Sequence, residues 1–121
     1  MKPLYYILEG KTPKEAEMLV WAKWCGEGER RRVQQDIFNG KCNVSTVFLG
    51  LDHSFSDEGP PILFETMIFG GVFSEYQDRY ATWDEAEEGH KKALNMILEN
   101  AIREEDFELA EEVKTSLERF K

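Results

Sequence analysis

The pair Asn39-Gly40, set between the apolar runs Val33–Phe38 and Lys41–Leu51, commits the middle of this chain to a β-hairpin. A two-residue hairpin loop needs φ > 0 at both central positions, which Asn and Gly tolerate best, and its twist matches that of the strands it joins. The second arm alternates strictly, so Val47, Leu49, Leu51 and His53 share one face. Ser54–Pro61 is rich in turn formers, and Pro60-Pro61 forces an extended entry into a third run, Ile62–Phe69. There Leu63, Glu65, Met67 and Phe69 share a face, and Gly70-Gly71 ends the run. Antiparallel pairing of Leu51 with Glu65 sets His53 opposite Leu63 and makes His53 and Glu65 diagonal neighbours.

Helical signals flank this β-rich centre. Leu4–Leu8 reads as a short strand, and Thr12-Pro13-Lys14-Glu15 then reads as a helix start. Thr12 caps, Pro13 suits the first helical position and Glu15 closes a capping box. That helix runs through Ala16, Leu19, Val20 and Lys23 to a stop near Gly26 or Gly28. Trp21 and Trp24, three apart, share a face that packs on the sheet. Val72–Ala81 reads as a polar aromatic connection. A second capping box, Thr82 with Glu85, opens a helix to about Ile102 whose inward stripe is Ala86, His90, Ala93, Leu94, Ile97 and Ala101. A last helix from about Glu104 buries Phe107, Ala110, Val113, Leu117 and Phe120. The order β-α-β-β-β-α-α, with strands and helices segregated, predicts one α+β domain over residues 1–121. It is a two-layer domain with a largely antiparallel sheet of about four strands packed with helices.

Charge divides the chain. Residues 1–50 carry eight Lys/Arg against six Asp/Glu, whereas residues 51–121 carry seven against eighteen. A half with a balance of −11 repels nucleic acid and anionic membranes and suits a basic protein partner. No run approaches the roughly 20 apolar residues that span a bilayer, and MKPLYYILEG lacks the apolar core of a signal peptide. A cytosolic setting is expected. Cys25 and Cys42 fit no Cys-x-x-Cys spacing and read as free thiols, although either thiolate could join a metal shell. Arg30-Arg31-Arg32 reads as a solvated strand edge; phosphate binding is the alternative, without a Gly-rich loop to support it.

The chain has two histidines, and both fall where a buried site would use them. His53 closes an apolar run, His90 lies on the inward stripe of a helix, and Glu65 interrupts a third apolar stretch. A carboxylate in such a place is costly unless paired, hydrogen-bonded or metal-bound. Asp52, His53, Glu65 and His90 thus make a candidate shell for one divalent ion, zinc before harder ions. Asp52 is the weakest member, because regular alternation points it to the opposite face. The competing reading is a hydrogen-bonded cluster in which His53 or His90 pairs with Glu65 and organises the core. A hydrolytic centre would further need an open coordination position and a base, for which Asp57 and Glu58 are the nearby carboxylates. A closed, structural ion is the expectation.

The segments VSTVFLGLDHSF, GPPILFETMIFGG and YATWDEAEEGHKKAL together resemble a family of small phage and prophage proteins, over residues 44–94. The chain is also similar to metal-containing anti-CRISPR proteins that act on type II effector nucleases. That resemblance implies a phage-encoded inhibitor of host defence, working in the bacterial cytoplasm. It would bind the nuclease through an acidic surface carried by Glu87, Glu88, Glu105, Glu108 and Glu112, and so block DNA loading. The alternatives are a small metal-dependent hydrolase and a protein that sequesters a nucleotide signal on Arg30–Arg32.

Overall fold

The computed structural model describes residues 2–27 and 29–121. The hairpin forms around Asn39-Gly40, with β3 (Arg32–Phe38) antiparallel to β4 (Cys42–Phe48), but its loop spans the three residues between the paired Phe38 and Cys42, and of Asn39 and Gly40 only Gly40 has a positive φ, 75°. β5 (Phe64–Phe69) and β6 (Gln77–Tyr80) extend this to a four-stranded antiparallel sheet in the order β3-β4-β5-β6. α2 (Trp83–Arg103) lies across one face, and α3 (Phe107–Leu117) returns along α2, ending in a 3-10 turn over Glu118–Phe120. The fold is α+β: a four-stranded sheet packed with helices, plus a separate two-stranded sheet.

α2 begins as expected. The Thr82 side chain accepts from the Glu85 amide while the Glu85 carboxylate accepts from the Thr82 amide. Its buried stripe is Ala86, Gly89, His90, Ala93, Leu94, Ile97 and Ala101. Gly89 is there for space: a Cβ at this position would lie 1.9 Å from the Tyr80 hydroxyl and 2.1 Å from its ring carbon Cζ. Between α2 and α3, Glu105 takes a left-handed φ of 60° and closes a tight helix–helix turn.

The N-terminal segment differs from expectation. Thr12–Glu15 forms β2, which pairs antiparallel with β1 (Tyr6–Glu9), so Tyr6 faces Glu15 and Leu8 faces Pro13. The helix α1 starts only at Met18 (Met18–Cys25), with Glu17 at its N-cap making no side-chain capping bond. The Thr-Pro-x-Glu pattern is a local preference of about 1 kcal/mol. The hairpin through Gly10 instead gains strand pairing and buries Tyr6 to 7% exposure. Pro13 is tolerated because it lies on an edge strand, where no ladder partner is needed. α1 ends at Gly26; Gly28 lies outside the described residues. Trp21 packs on Tyr5, with centroids 4.9 Å apart, and Trp24 meets Phe48 edge-on. Gln77–Tyr80, read from sequence as part of a connection, is the edge strand β6.

The register is the larger correction. Glu65 pairs with Val47, not with Leu51. β4 stops at Phe48, and the chain then turns through Gly50, whose φ is +79°. Leu51 leaves the sheet to bridge Tyr5, reinforced by hydrogen bonds from Tyr6 N–H to the Gly50 carbonyl and from Asp52 N–H to the Leu4 carbonyl. Trp21 packs tightly at this turn: a Cβ on Gly50 would meet its Nε1 at 2.8 Å.

The helix-facing side of the sheet is carried by the even positions: Val44, Thr46 and Phe48 on β4, and Phe64, Thr66 and Ile68 on β5, all fully buried. Two apolar clusters result. One gathers Phe38, Cys42, Val44, Ile68, Leu94, Ile97 and Val113; the other gathers Tyr6, Phe48, Leu63, Phe64 and Ala86.

Candidate functional site

Between the two apolar clusters runs a belt of polar side chains. Thr46 lies between Val44 and Phe48 on β4, and its partner Thr66 lies between Phe64 and Ile68 on β5. Their hydroxyls are 2.6 Å apart. From α2, where it is flanked by Ala86 and Ala93, His90 reaches the same level and sets Nδ1 2.7 Å from the Thr46 hydroxyl. Its Nε2 lies 2.7 Å from Oδ2 of Asp36 on β3. Arg119, from the C-terminal 3-10 turn, donates to the same carboxylate oxygen, and Phe120 stacks at a tilt beside the imidazole.

The electrostatics of this belt follow from burial and pairing. Burial pushes the Asp36 carboxyl up, but hydrogen bonds from His90 and Arg119 outweigh it and hold the group at about 2. An ionised carboxylate only accepts, so Nε2 is a protonated, donating nitrogen of His90. Neighbouring Tyr80 is pushed up to about 12, chiefly by burial, and its hydroxyl has no hydrogen-bond partner of good geometry.

A carboxylate on one imidazole nitrogen and a hydroxyl on the other is the connectivity of an acid–base–nucleophile triad. Here it cannot turn over substrate. Thr46, Thr66 and His90 are 0% exposed, sealed between sheet and helix, so no reacting carbonyl or phosphorus can approach the hydroxyl. What the belt does is satisfy its own members and fix the depth and angle at which α2 sits on the sheet.

The four residues expected to form a metal shell are not brought together. His90 lies on the helix-facing side with both ring nitrogens engaged. Glu65, at an odd position, lies on the opposite side of β5. There it accepts from Arg79 at 2.9 Å and from Gln77 at 2.6 Å on β6. The expected His90–Glu65 pair is thus replaced by His90–Asp36. His53 directs Nδ1 to the Leu51 carbonyl at 2.8 Å. Asp52 closes the loop: Oδ1 accepts from the amides of Ser54 and Ile62, and Oδ2 pairs with Lys2 at 3.1 Å. These amide bonds outweigh burial and hold the Asp52 carboxyl at about 2. The residues therefore do not fit a preassembled zinc shell, and no group of three or more His, Cys, Asp or Glu side chains among the described residues does.

The other candidates are also accounted for. Asp57 and Glu58 are exposed in the loop after Asp52. Arg30 pairs with Glu27, Arg32 makes two bonds to Glu29, and Arg31 donates to the carbonyls of Phe48 and Leu49, so the three guanidinium groups do not converge on a phosphate site. Cys25 and Cys42 are free, and burial pushes both thiols up.

Of the five surface acids, Glu87 is tied down. It accepts from the Trp83 indole and lies 3.8 Å from Lys11, which itself sits over the Trp83 ring. Glu88, Glu105, Glu108 and Glu112 are exposed and make no ion pair among the described residues. They form two groups. Glu105, Glu108 and Glu112 gather at the α2–α3 turn, whereas Glu88 lies toward the other end of α2, roughly 22 Å away at 1.5 Å per residue.

Asp36, Thr46, Thr66 and Arg119 were not anticipated from sequence. For the first three there is a signal: each is a polar residue in register with apolar core positions two residues away (Phe38; Val44 and Phe48; Phe64 and Ile68). Arg119 carries none, because only the path of the C-terminal turn brings it to β3.

Comparison with protein-family models, with curated proteins and with solved structures finds no match to this chain. No helix among the described residues is long and apolar enough to cross a membrane.

Proposed function

We propose that this chain acts by binding rather than by catalysis, as a phage-encoded inhibitor that docks its acidic helix layer onto a basic surface of a type II CRISPR effector nuclease and hinders DNA loading. The observation that carries this reading is the placement of charge. Residues 83–121 hold twelve Asp/Glu against six Lys/Arg, and ten of the twelve acids are exposed. Such a surface competes with nucleic acid for a cationic channel and is drawn to it at long range. The biological setting, the host cytoplasm, rests on the resemblance read in residues 44–94. The separation of His90 and Glu65 onto opposite sides of the sheet, each engaged by other partners, argues against the metal-dependent hydrolase alternative, and the engaged arginines argue against nucleotide sequestration.

The test is target-DNA cleavage and binding by a panel of guide-loaded type II nucleases, with the purified chain added in increasing ratio. The reading expects stoichiometric inhibition of at least one nuclease, loss of DNA binding before loss of cleavage chemistry, and weakening by added salt. The combined change Glu105→Lys, Glu108→Lys and Glu112→Lys should weaken inhibition at least about tenfold, since close charge pairs at such interfaces couple by more than about 1.4 kcal/mol. Full nuclease activity across the panel at large excess of the chain would exclude the reading.

A further inference from the structure

Beside the α2–α3 turn lies a cavity of about 410 Å³, a size typical of sites that take one large side chain or a small ligand. Its floor is apolar: Cys42 and Ile68 from the sheet, Phe73 from the loop after β5, Ile97 from α2 and Leu109 from α3. Gly70 and Gly71, at φ of +84° and +73°, form one wall and bring the backbone close to the start of β4. A Cβ on Gly70 would meet the Lys41 carbonyl at 3.1 Å. The wall is therefore a built feature of the turn and not a gap left by a missing side chain.

The mouth is polar. Lys41 and Asp106 line it and neutralise each other at 2.9 Å. On α3, Glu108 and Glu112 lie within one turn of the lining residue Leu109, and both are exposed and make no ion pair among the described residues. An apolar recess flanked on α3 by two unpaired carboxylates is complementary to one kind of protein segment.

Resting on the binding role argued above, we infer that this cavity receives an apolar anchor side chain, flanked by Lys or Arg, from a basic protein partner, with Glu108 and Glu112 engaging the flanking cations. Burial of a single well-fitted anchor commonly dominates such an interface, while the surrounding charges set orientation and association rate. The acidic surface would thus be specific, through the recess, as well as attractive.

The experiment uses two synthetic probes of equal charge, the capped pentapeptides KRFKR and KRSKR, titrated calorimetrically into the full chain at low salt. The expected result is at least about tenfold tighter binding of the Phe peptide. Two variants fill or cover the recess without altering charge: Asn100→Phe from α2, and Val72→Trp at the exposed mouth, each verified as folded by its thermal melt. Both should abolish the preference for Phe while leaving the weaker, salt-sensitive binding of KRSKR intact. The pair Glu108→Gln and Glu112→Gln should weaken both peptides alike. Equal affinity of the two peptides would overturn the anchor while leaving acidic docking on a nuclease standing. Failure of both to bind, or dimerisation of the chain that Asn100→Phe breaks, would also overturn it. Failure of nuclease inhibition, by contrast, would strike the parent reading and not this preference.

Discussion

His90 Nε2 lies 2.7 Å from Asp36 Oδ2, joining α2 to β3 across 54 residues of sequence. The pair has its other valences filled by Thr46 and Arg119, so it forms a closed buried network in which no member faces an apolar wall unpaired. Removing one partner leaves a buried polar atom of the other short of a bond. His90→Ala should therefore cost roughly 3–5 kcal/mol, the range for breaking a buried pair. Asp36→Asn should also be destabilising, and the double variant should fall short of the sum of the two by at least about 1 kcal/mol. Urea unfolding of the four proteins measures this coupling; additive losses would show that the two residues act independently.

Acid should weaken both this network and the loop that Asp52 closes. Asp36 and Asp52 each sit at about 2 in the folded chain against an ordinary value of 3.8. A carboxylate with a lowered folded value contributes its stabilisation fully above the unfolded value, and loses it as pH falls toward the folded one. Stability should be flat above about pH 5 and decline between about pH 4 and pH 2, by on the order of 2 kcal/mol for each group. Asp36→Asn and Asp52→Asn should each remove one share of that decline. Urea midpoints at half-unit pH steps would test this, and an undiminished slope in both variants would refute it.

Gly89 inverts the usual rule for helix interiors. Propensity alone predicts that Gly89→Ala stabilises by about 1 kcal/mol. The Tyr80 ring occupies the space a Cβ needs, so the substitution should instead destabilise by about 1–3 kcal/mol. Shrinking the obstacle in Gly89→Ala with Tyr80→Ala should recover part of that penalty, read as the melting temperature of the pair against Tyr80→Ala alone.

Two Thr-x-x-Glu motifs give opposite expectations. Thr82→Ala should cost about 1 kcal/mol, because the Thr82 hydroxyl caps α2. Thr12→Ala should cost less than about 0.5 kcal/mol, as for an exposed position outside any cap. Equal losses would mean that the N-terminal motif caps a helix after all.

Removal of divalent ions should leave the fold unchanged. Glu65 is paired with Arg79 and Gln77 on one side of the sheet, and His90 with Asp36 and Thr46 on the other. Dialysis against a chelator should not move the melting temperature, and elemental analysis of Glu65→Gln should match that of the parent. A drop reversed by added zinc would show that the chain rearranges to assemble a shell.

Much of the fold was written locally. Asn39-Gly40 specified its hairpin because Gly40 supplies the left-handed φ of 75° that the turn needs, and Thr82 with Glu85 specified the start of α2 because both partners of the cap lie within one turn. The buried stripe of α2, His90 included, followed from helical periodicity, which depends on no other element. The face of β4 did not follow, because both parities of 44–51 are apolar: Val44 and Phe48 on one side, Val47, Leu49 and Leu51 on the other. Only the departure of the chain at Gly50, forced by its pairing with Tyr5 and the close packing of Trp21, chose between them. That choice carried Glu65 to the far side of the sheet and gave His90 a different acid, Asp36, from a strand whose position sequence spacing does not encode. Local chemistry therefore determined the central hairpin, the start of α2 and its buried face, whereas at Thr12–Glu15 strand pairing overrode a local helix signal. Long-range pairing alone determined which polar groups meet, since a one-residue change of strand parity exchanges every side chain between the two faces.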